Sequence, residues 1–228
     1  FALYDEAAQK LSIHKVLSTG HDPSIAVLGG LDALTHALGI DVRALTEAIH
    51  ATTVATNTVI QRNGPRTALL TTLGFRDVLI IGRQKRWELY DNYIDKPVPV
   101  VPREHIWEVA ERLLHDGTER TKLDERAVRR AAREMKAAGI ATVAISFLHS
   151  YANPAHERRA AEIVREVAPD LLVCLSSDVS PIYREYERAS TTTLNAYLMP
   201  VVGAYVQRIQ QGLAARKFAE ARQRYAVK

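Results

Sequence analysis

The chain has 228 residues, 47% of them hydrophobic and 25% charged, the composition of an ordinary globular protein. Its 30 basic and 26 acidic residues leave a formal +4, thinly spread apart from the tail after Arg208, which excludes a nucleic-acid-binding stripe. No apolar run approaches a membrane span, no signal-peptide pattern opens the chain, and the single Cys174 excludes an intrachain disulfide, so a reducing cytoplasm is the expected compartment.

Residues 1–4 and 11–17 read as two strands of a hairpin. The chain opens in mid-strand without Met, as a piece of a longer protein would. Asp22-Pro-Ser starts a helix with Ile25, Val27, Leu28, Leu31, Leu34 and Leu38 at helical spacing, and Gly39 stops it. A short turn at 42–45 leads to a buried strand at 47–50. Thr52 or Thr53 then caps a helix to Arg62, ended by Asn63-Gly64. A strand running into a Thr-capped helix offers free backbone N–H groups to an anion, although simple capped helices are common.

Residues 66–72 form a strand that ends in hydroxyls, and 74–82 a turn with a short helix. From 83 to 103 the pattern breaks down, and irregular segments of that length are often functional. There, Arg83 and Arg86 beside Trp87 and Tyr90 can grip an anionic or planar ligand, or simply be solvated. A strand at 106–110 and a turn at 115–117 follow. Asp124 caps a helix to Ala138, which Gly139 terminates.

Residues 142–148 are the clearest buried strand, with His149-Ser-Tyr151 at its exit. A helix at 154–167, a strand at 171–175 and a long helix from about Tyr183 to Ala215 complete the alternation. That rhythm predicts an α/β fold, a mixed sheet flanked by helices, with no break that divides it into domains. Ligands in such sheets collect at the carboxyl ends of the strands. Thr52/Thr53, Thr71/Thr72, His149/Ser150 and Ser176/Ser177 all follow or close predicted strands, so they converge if those strands are parallel.

The long helix opens with Tyr-Arg-Glu-Tyr-Glu-Arg-Ala-Ser-Thr-Thr-Thr-Leu-Asn-Ala-Tyr (183–197). Four hydroxyl residues in a row are mediocre helix formers, so its first turns are expected to line a polar cleft, the alternative being a helix with satisfied polar contacts to neighbouring elements. Arg184 and Arg188 share a face, with Glu185 and Glu187 beside them. No pair of His or Cys has a metal-ligand spacing; His149 and His156 fall on different predicted elements. Walker, Rossmann and Gly-x-Ser-x-Gly patterns are missing, and Cys174 lies in an apolar run with no basic neighbour. What remains suits recognition of phosphate or a polarised carbonyl by donors, without a covalent nucleophile.

Several runs resemble the amino-terminal region of the hydantoinase A/5-oxoprolinase family. They are His-Ala-Thr-Thr-Val-Ala-Thr-Asn-Thr (50–58), Arg-Thr-Ala-Leu-Leu-Thr-Thr-Leu-Gly-Phe-Arg-Asp-Val-Leu (66–79) and Gly-Arg-Gln (82–84). Leu-His-Ser-Tyr-Ala-Asn-Pro-Ala-His-Glu (148–157), Ser-Ser-Asp-Val-Ser-Pro (176–181) and residues 184–197 continue them in order. The resemblance implies a ribonuclease-H-like sheet of the actin-like ATPase superfamily. It implies an ATP-dependent enzyme, with Mg²⁺ as the nucleotide's companion, acting on cyclic amides such as hydantoin or 5-oxoproline. ATP would phosphorylate the amide oxygen to make a better electrophile. Ketone carboxylase subunits are the related alternative.

By motif, Thr52, Thr53, Thr56 and Asn57 fall near the nucleotide. Arg83, Gln84, Ser190, Thr191 and Asn195 fall near substrate, and His149, Arg184, Glu187 and Arg188 near the chemistry. No metal ligand is assigned. Thr53, His149 and Arg184 are expected to approach one cleft. Ala51 stands where the family carries Gly. The family's Asp-Ile-Gly-Gly-Thr-Phe-Thr-Asp stretch precedes the position of Phe1 and a large domain follows, so residues 1–228 are expected to hold only part of an active site and to be inactive alone. The partners expected are a small cyclic amide or ketone, a hydantoinase B-type subunit and further copies in an oligomer, with neither nucleic acid nor membrane. Two other classes stay open: a non-catalytic scaffold that docks such a subunit, and a sugar-kinase-like ATPase with another substrate.

Overall fold

Two short runs, Thr-Ala-Leu-Leu-Thr-Thr and Thr-Val-Ala-Ile-Ser, are buried at every position, so both faces of their sheet must be covered. The computed structural model, which describes residues 1–84, 88, 90, 91, 93, 97–218 and 223–227, shows how. In chain order come the hairpin β1 (Ala2–Asp5) and β2 (Lys10–Ile13), helix α1 (Pro23–Leu38), strand β3 (Ala48–Thr52) and helix α2 (Val54–Gln61). Strand β4 (Thr67–Thr72), helix α3 (Val78–Ile81), strand β5 (Ile106–Val109) and the small hairpin β6 (Arg112–Leu113) with β7 (Glu119–Thr121) follow. Then come α4 (Glu125–Ala137), β8 (Thr142–Ser146), α5 (Ala155–Val167), β9 (Leu172–Leu175), α6 (Ser176–Val179), α7 (Glu185–Ala215) and β10 (Gln223–Val227).

The chain forms two compact units, residues 1–60 with 201–228, and residues 61–200. In the second unit, β5-β4-β8-β9 make a four-stranded sheet whose neighbours are all parallel. The α/β class with helices flanking a sheet is as expected, but this sheet is parallel rather than mixed. Alternation along each strand assigns its two faces. Ala68, Leu70, Val143 and Ile145 pack on one side with Val128, Met135, Ile163 and Val164 of α4 and α5. Leu69, Ala144 and Cys174 pack on the other with Ala189 and Ala196 of α7.

In the first unit, β3 pairs in parallel with β10, and Tyr205, Ile209, Leu213 and Phe218 pack with Val27, Leu28 and Leu31 of α1. Asp22 caps α1 by accepting from the Ser24 N–H, and Gly39 closes it in the left-handed region at φ 65°. The second hairpin strand is shorter than the sequence suggests, ending at Ile13 rather than residue 17. Ala51 lies within β3 and is not among the residues at positive φ, so it adopts its backbone without the freedom that Gly would bring. Arg86 and Trp87 lie outside the described residues.

One close approach in the second unit requires glycine. The Tyr197 hydroxyl of α7 accepts a 2.7 Å bond from the Gly64 N–H, and a Cβ at Gly64 would stand 2.3 Å from the Tyr197 ring. Gly64→Ala is therefore expected to destabilise the protein by about 1–3 kcal/mol, the cost of overpacking. A shift of the denaturation midpoint at constant slope measures it, and an unchanged midpoint would show that the ring moves aside freely.

Candidate functional site

Parallel strands end side by side, so the residues that leave β4, β8 and β9 meet at one edge of the second unit's sheet. There Thr71 donates to Ser146 O at 3.0 Å, and Ser150 and Ser176 hydroxyls lie 3.0 Å apart. The Thr72 hydroxyl accepts from the Leu148 N–H at 3.0 Å and donates to Glu111. Glu157, from the first turn of α5, is fully buried and ties this edge together. It accepts from Phe147 N (3.0 Å), Ser176 Oγ (2.6 Å) and Ser177 N (2.9 Å).

Arg188 enters the same edge from α7 and is only 1% exposed. Its Nη1 donates to Ile182 O at 2.6 Å and its Nη2 to Phe147 O at 2.9 Å, with the guanidinium 5.6 Å from the centre of the Tyr151 ring. Its Nε is buried and, among the described residues, has no partner, as is the case for Ser177 Oγ. Among the described residues no carboxylate stands within ion-pair distance of it. Burial pushes its pKa down, and the fields of Glu157 and Glu185 oppose that shift. A buried guanidinium held by carbonyls alone is costly unless something else compensates its charge.

His149 sits at φ 58° in the turn leaving β8, its Nδ1 3.4 Å from the Tyr151 hydroxyl. Burial first, then the charges of Arg112 and Arg188, hold its pKa below the ordinary value, which favours the neutral imidazole. Glu187 accepts from Arg83 Nε at 2.7 Å and lies 3.8 Å from Arg184. Its own backbone N–H, and after it Arg83, lower its pKa. Glu187 thus pairs chiefly with Arg83 rather than with Arg188.

Arg184 is exposed and stacks on Tyr183, so the two arginines do not present one double fork, contrary to the shared face expected from their spacing. The hydroxyl run is partly satisfied by its own helix: Thr192 donates to Arg188 O and Thr193 to Ser190 O. Ser190 is half-buried and Thr191 exposed. Asn195 donates to Cys174 Sγ at 3.0 Å, and burial raises the Cys174 thiol's pKa, in keeping with a structural thiol. Gln84 follows at φ 57°, directly after Arg83.

The nucleotide-side candidates belong to the first unit, because β3 pairs with β10 and not with the four-stranded sheet. Thr52 Oγ1 accepts from Val54 N at 3.2 Å, so it caps α2, and Asn57 Nδ2 reaches Thr53 Oγ1 at 3.4 Å. Thr56 lies in the same first turns. His50, in β3, bonds the Tyr205 hydroxyl at 2.7 Å, and burial lowers its pKa.

A network absent from the sequence reading lies beside the edge. His156 has Glu111 at Nδ1 (2.8 Å) and Glu119 at Nε2 (2.9 Å). Glu111 also borders an open cavity of about 320 Å³, which Thr72, Arg112, Arg120 and Thr121 line as well. Glu111 lies two residues past the end of β5, and Glu157 sits in the first turn of α5, the helix after β8. Among the described residues no group of three His, Cys, Asp or Glu can hold a metal ion, and no helix is long and apolar enough to cross a membrane.

Fold and edge together define an α/β protein whose polar residues gather at the carboxyl ends of parallel strands. The family described as the hydantoinase/oxoprolinase N-terminal region matches residues 1–168, and the chain belongs to that family. It is 38% identical over 205 residues to the caprolactamase subunit alpha of Pseudomonas jessenii, covering 87% of this chain and 30% of that protein. The acetophenone carboxylase gamma subunit of Aromatoleum aromaticum is 36% identical over 203 residues, covering 82% of this chain and 28% of that one. The 5-oxoprolinase of Saccharomyces cerevisiae is 37% identical over 190 residues, covering 72% of this chain and 14% of that one. The crystal structure of ATP-dependent caprolactamase from P. jessenii matches at TM-score 0.87 and 36% identity, over 98% of this chain and 33% of that chain. The chain thus spans a third or less of the length of these relatives.

Proposed function

We propose that the chain is part of an ATP-dependent enzyme that hydrolyses a cyclic amide through phosphorylation of the amide oxygen. The observation that carries this reading is Arg188, a buried guanidinium with carbonyl partners and an unpartnered Nε. Such a group fits an anionic oxygen, which would supply its missing partner and offset its burial. Similarity to a caprolactamase and a 5-oxoprolinase supports the substrate class.

Thr52, Thr53, Thr56 and Asn57 would hold the nucleotide's phosphates, with the α2 N–H groups as further donors. Bound ATP would supply the phosphoryl group, and Mg²⁺ would arrive with its phosphates and need few protein ligands. Arg188 would steady negative charge on the activated oxygen, and neutral His149 would accept a proton from the attacking water. Glu187 would hold Arg83 in place, Arg184 would extend the positive wall, and Gln84, Ser190, Thr191 and Asn195 would orient the substrate. A hydantoinase B-type subunit is the proposed partner, since two relatives are named as subunits. A reducing cytoplasm is the proposed compartment, in keeping with the single buried thiol.

The second reading, a ketone carboxylase subunit, rests on the similarity to the acetophenone carboxylase subunit. ADP release by the natural full-length protein separates the two. The amide reading expects stimulation by a lactam, hydantoin or 5-oxoproline. Stimulation only by a ketone with bicarbonate would replace it, and no stimulation by either class would remove both.

A further inference from the structure

The sheet's opposite end carries a second built feature. A cavity of about 220 Å³ opens at the amino ends of β4 and β5, lined in part by Arg62, Gly64, Arg66, Pro102, His105 and Tyr197. Among the described residues no carboxylate lines it. Arg62 is locked as a wall: its backbone sits at φ 52°, and its guanidinium donates to Val98 O (2.6 Å) and Pro99 O (3.3 Å). Arg66 gives Nη1 to Ala138 O at 3.1 Å, and its Nε and Nη2 have no partner among the described residues. The His105 ring runs parallel to Trp107, 9° between the planes and 6.4 Å between ring centres, and neither ring nitrogen has a partner among the described residues. The Tyr197 hydroxyl accepts from Gly64 N, which leaves its own proton to donate.

Spare donors with no competing acid select an anion. The volume falls below the roughly 300 Å³ at which pockets for whole small molecules begin, so the ligand is compact. We propose that this pocket binds an oxyanion of phosphate size, held by Arg66, His105 and the Tyr197 hydroxyl. The source is either free phosphate or the terminal phosphate of a nucleotide. Tyr197 and Arg188 share α7, roughly 13 Å apart along its axis at the α-helical rise. The proposal does not depend on the amidohydrolase reading.

Calorimetric titration of the natural full-length protein with inorganic phosphate, and separately with ADP, tests it. The expected result is saturable phosphate binding that Arg66→Gln or His105→Gln weakens by roughly tenfold, the loss of one charge-assisted bond. Arg129→Gln, which breaks the α4 pair with Glu166 outside the pocket, should leave that affinity unchanged, which ties the binding to the pocket rather than to surface charge. ADP binding with the same dependence on Arg66, in place of phosphate, would support the pocket with a nucleotide as its source. Binding that ignores both Arg66→Gln and His105→Gln, or no binding of either ligand, would overturn it.

Discussion

Arg188→Lys in the full-length protein is expected to keep the fold and lower turnover by roughly ten- to a thousandfold, the range for losing one transition-state donor. The guanidinium reaches Ile182 O and Phe147 O with two different nitrogens and keeps Nε in reserve. A lysine ammonium is a compact point charge on a flexible stem and cannot reproduce that planar fork. It would satisfy one carbonyl and abandon the other, or sit between them and offer nothing further. A purely structural arginine predicts a different outcome, in which the melting temperature falls while turnover per folded molecule stays near that of the parent. Measuring both on one variant decides between them, and unchanged turnover would remove Arg188 from the site.

The parts of this fold that were legible in the sequence are those fixed by local pattern. Strand β8 reads directly because Thr-Val-Ala-Ile-Ser is β-branched and apolar, and α4 and α5 read from their spacing and from Asp124 and Gly139 at the ends. The two units were not legible, for a physical reason. One boundary falls at the end of α2 and the other inside α7 at Pro200, so neither lies in a linker with a composition of its own. Strand β10 was missed as well. Gln-Arg-Tyr-Ala-Val has no clean alternation, and its partner β3 lies far away in the chain.

The site was half legible. Hydroxyls at strand exits could be read because sheet topology gathers them: Ser150 meets Ser176, and Thr72 reaches across to the exit of β8 at Leu148 N. The face of the long helix could not be read to the same depth. Spacing puts Arg184 and Arg188 on one side, but only packing against β8 buries one and leaves the other in water. Glu157 and the Glu111–His156–Glu119 network were not legible, because a histidine held between two carboxylates has no metal-ligand spacing. Carboxylates that serve as acceptors for strand-end N–H groups have no such spacing to find.

Glu157→Gln carries the largest expected effect on stability. The carboxylate accepts from three donors on two strand exits, with Phe147 N and Ser176 Oγ on Oε1 and Ser177 N on Oε2. A carboxamide has one acceptor oxygen. With that oxygen at the Oε1 position its NH₂ meets the Ser177 N–H, and in the reverse flip it meets the Phe147 N–H. Either way one buried backbone donor faces another donor, and the expected loss is about 2–4 kcal/mol. For a protein of this size class that is a drop of roughly 4–16 °C in the unfolding midpoint. The substitution also strips Arg188 of the Glu157 field that opposes its burial, so turnover should fall even among folded molecules. Because both effects pass through Phe147, whose N–H meets Glu157 and whose carbonyl meets Arg188, the losses in Glu157→Gln/Arg188→Lys should add to less than the sum of the singles. Calorimetry and a turnover assay on the four proteins of the cycle test this. A Glu157→Gln midpoint within about 1 °C of the parent would show that water, not the carboxylate, satisfies these donors. Full additivity would show that Glu157 and Arg188 act independently.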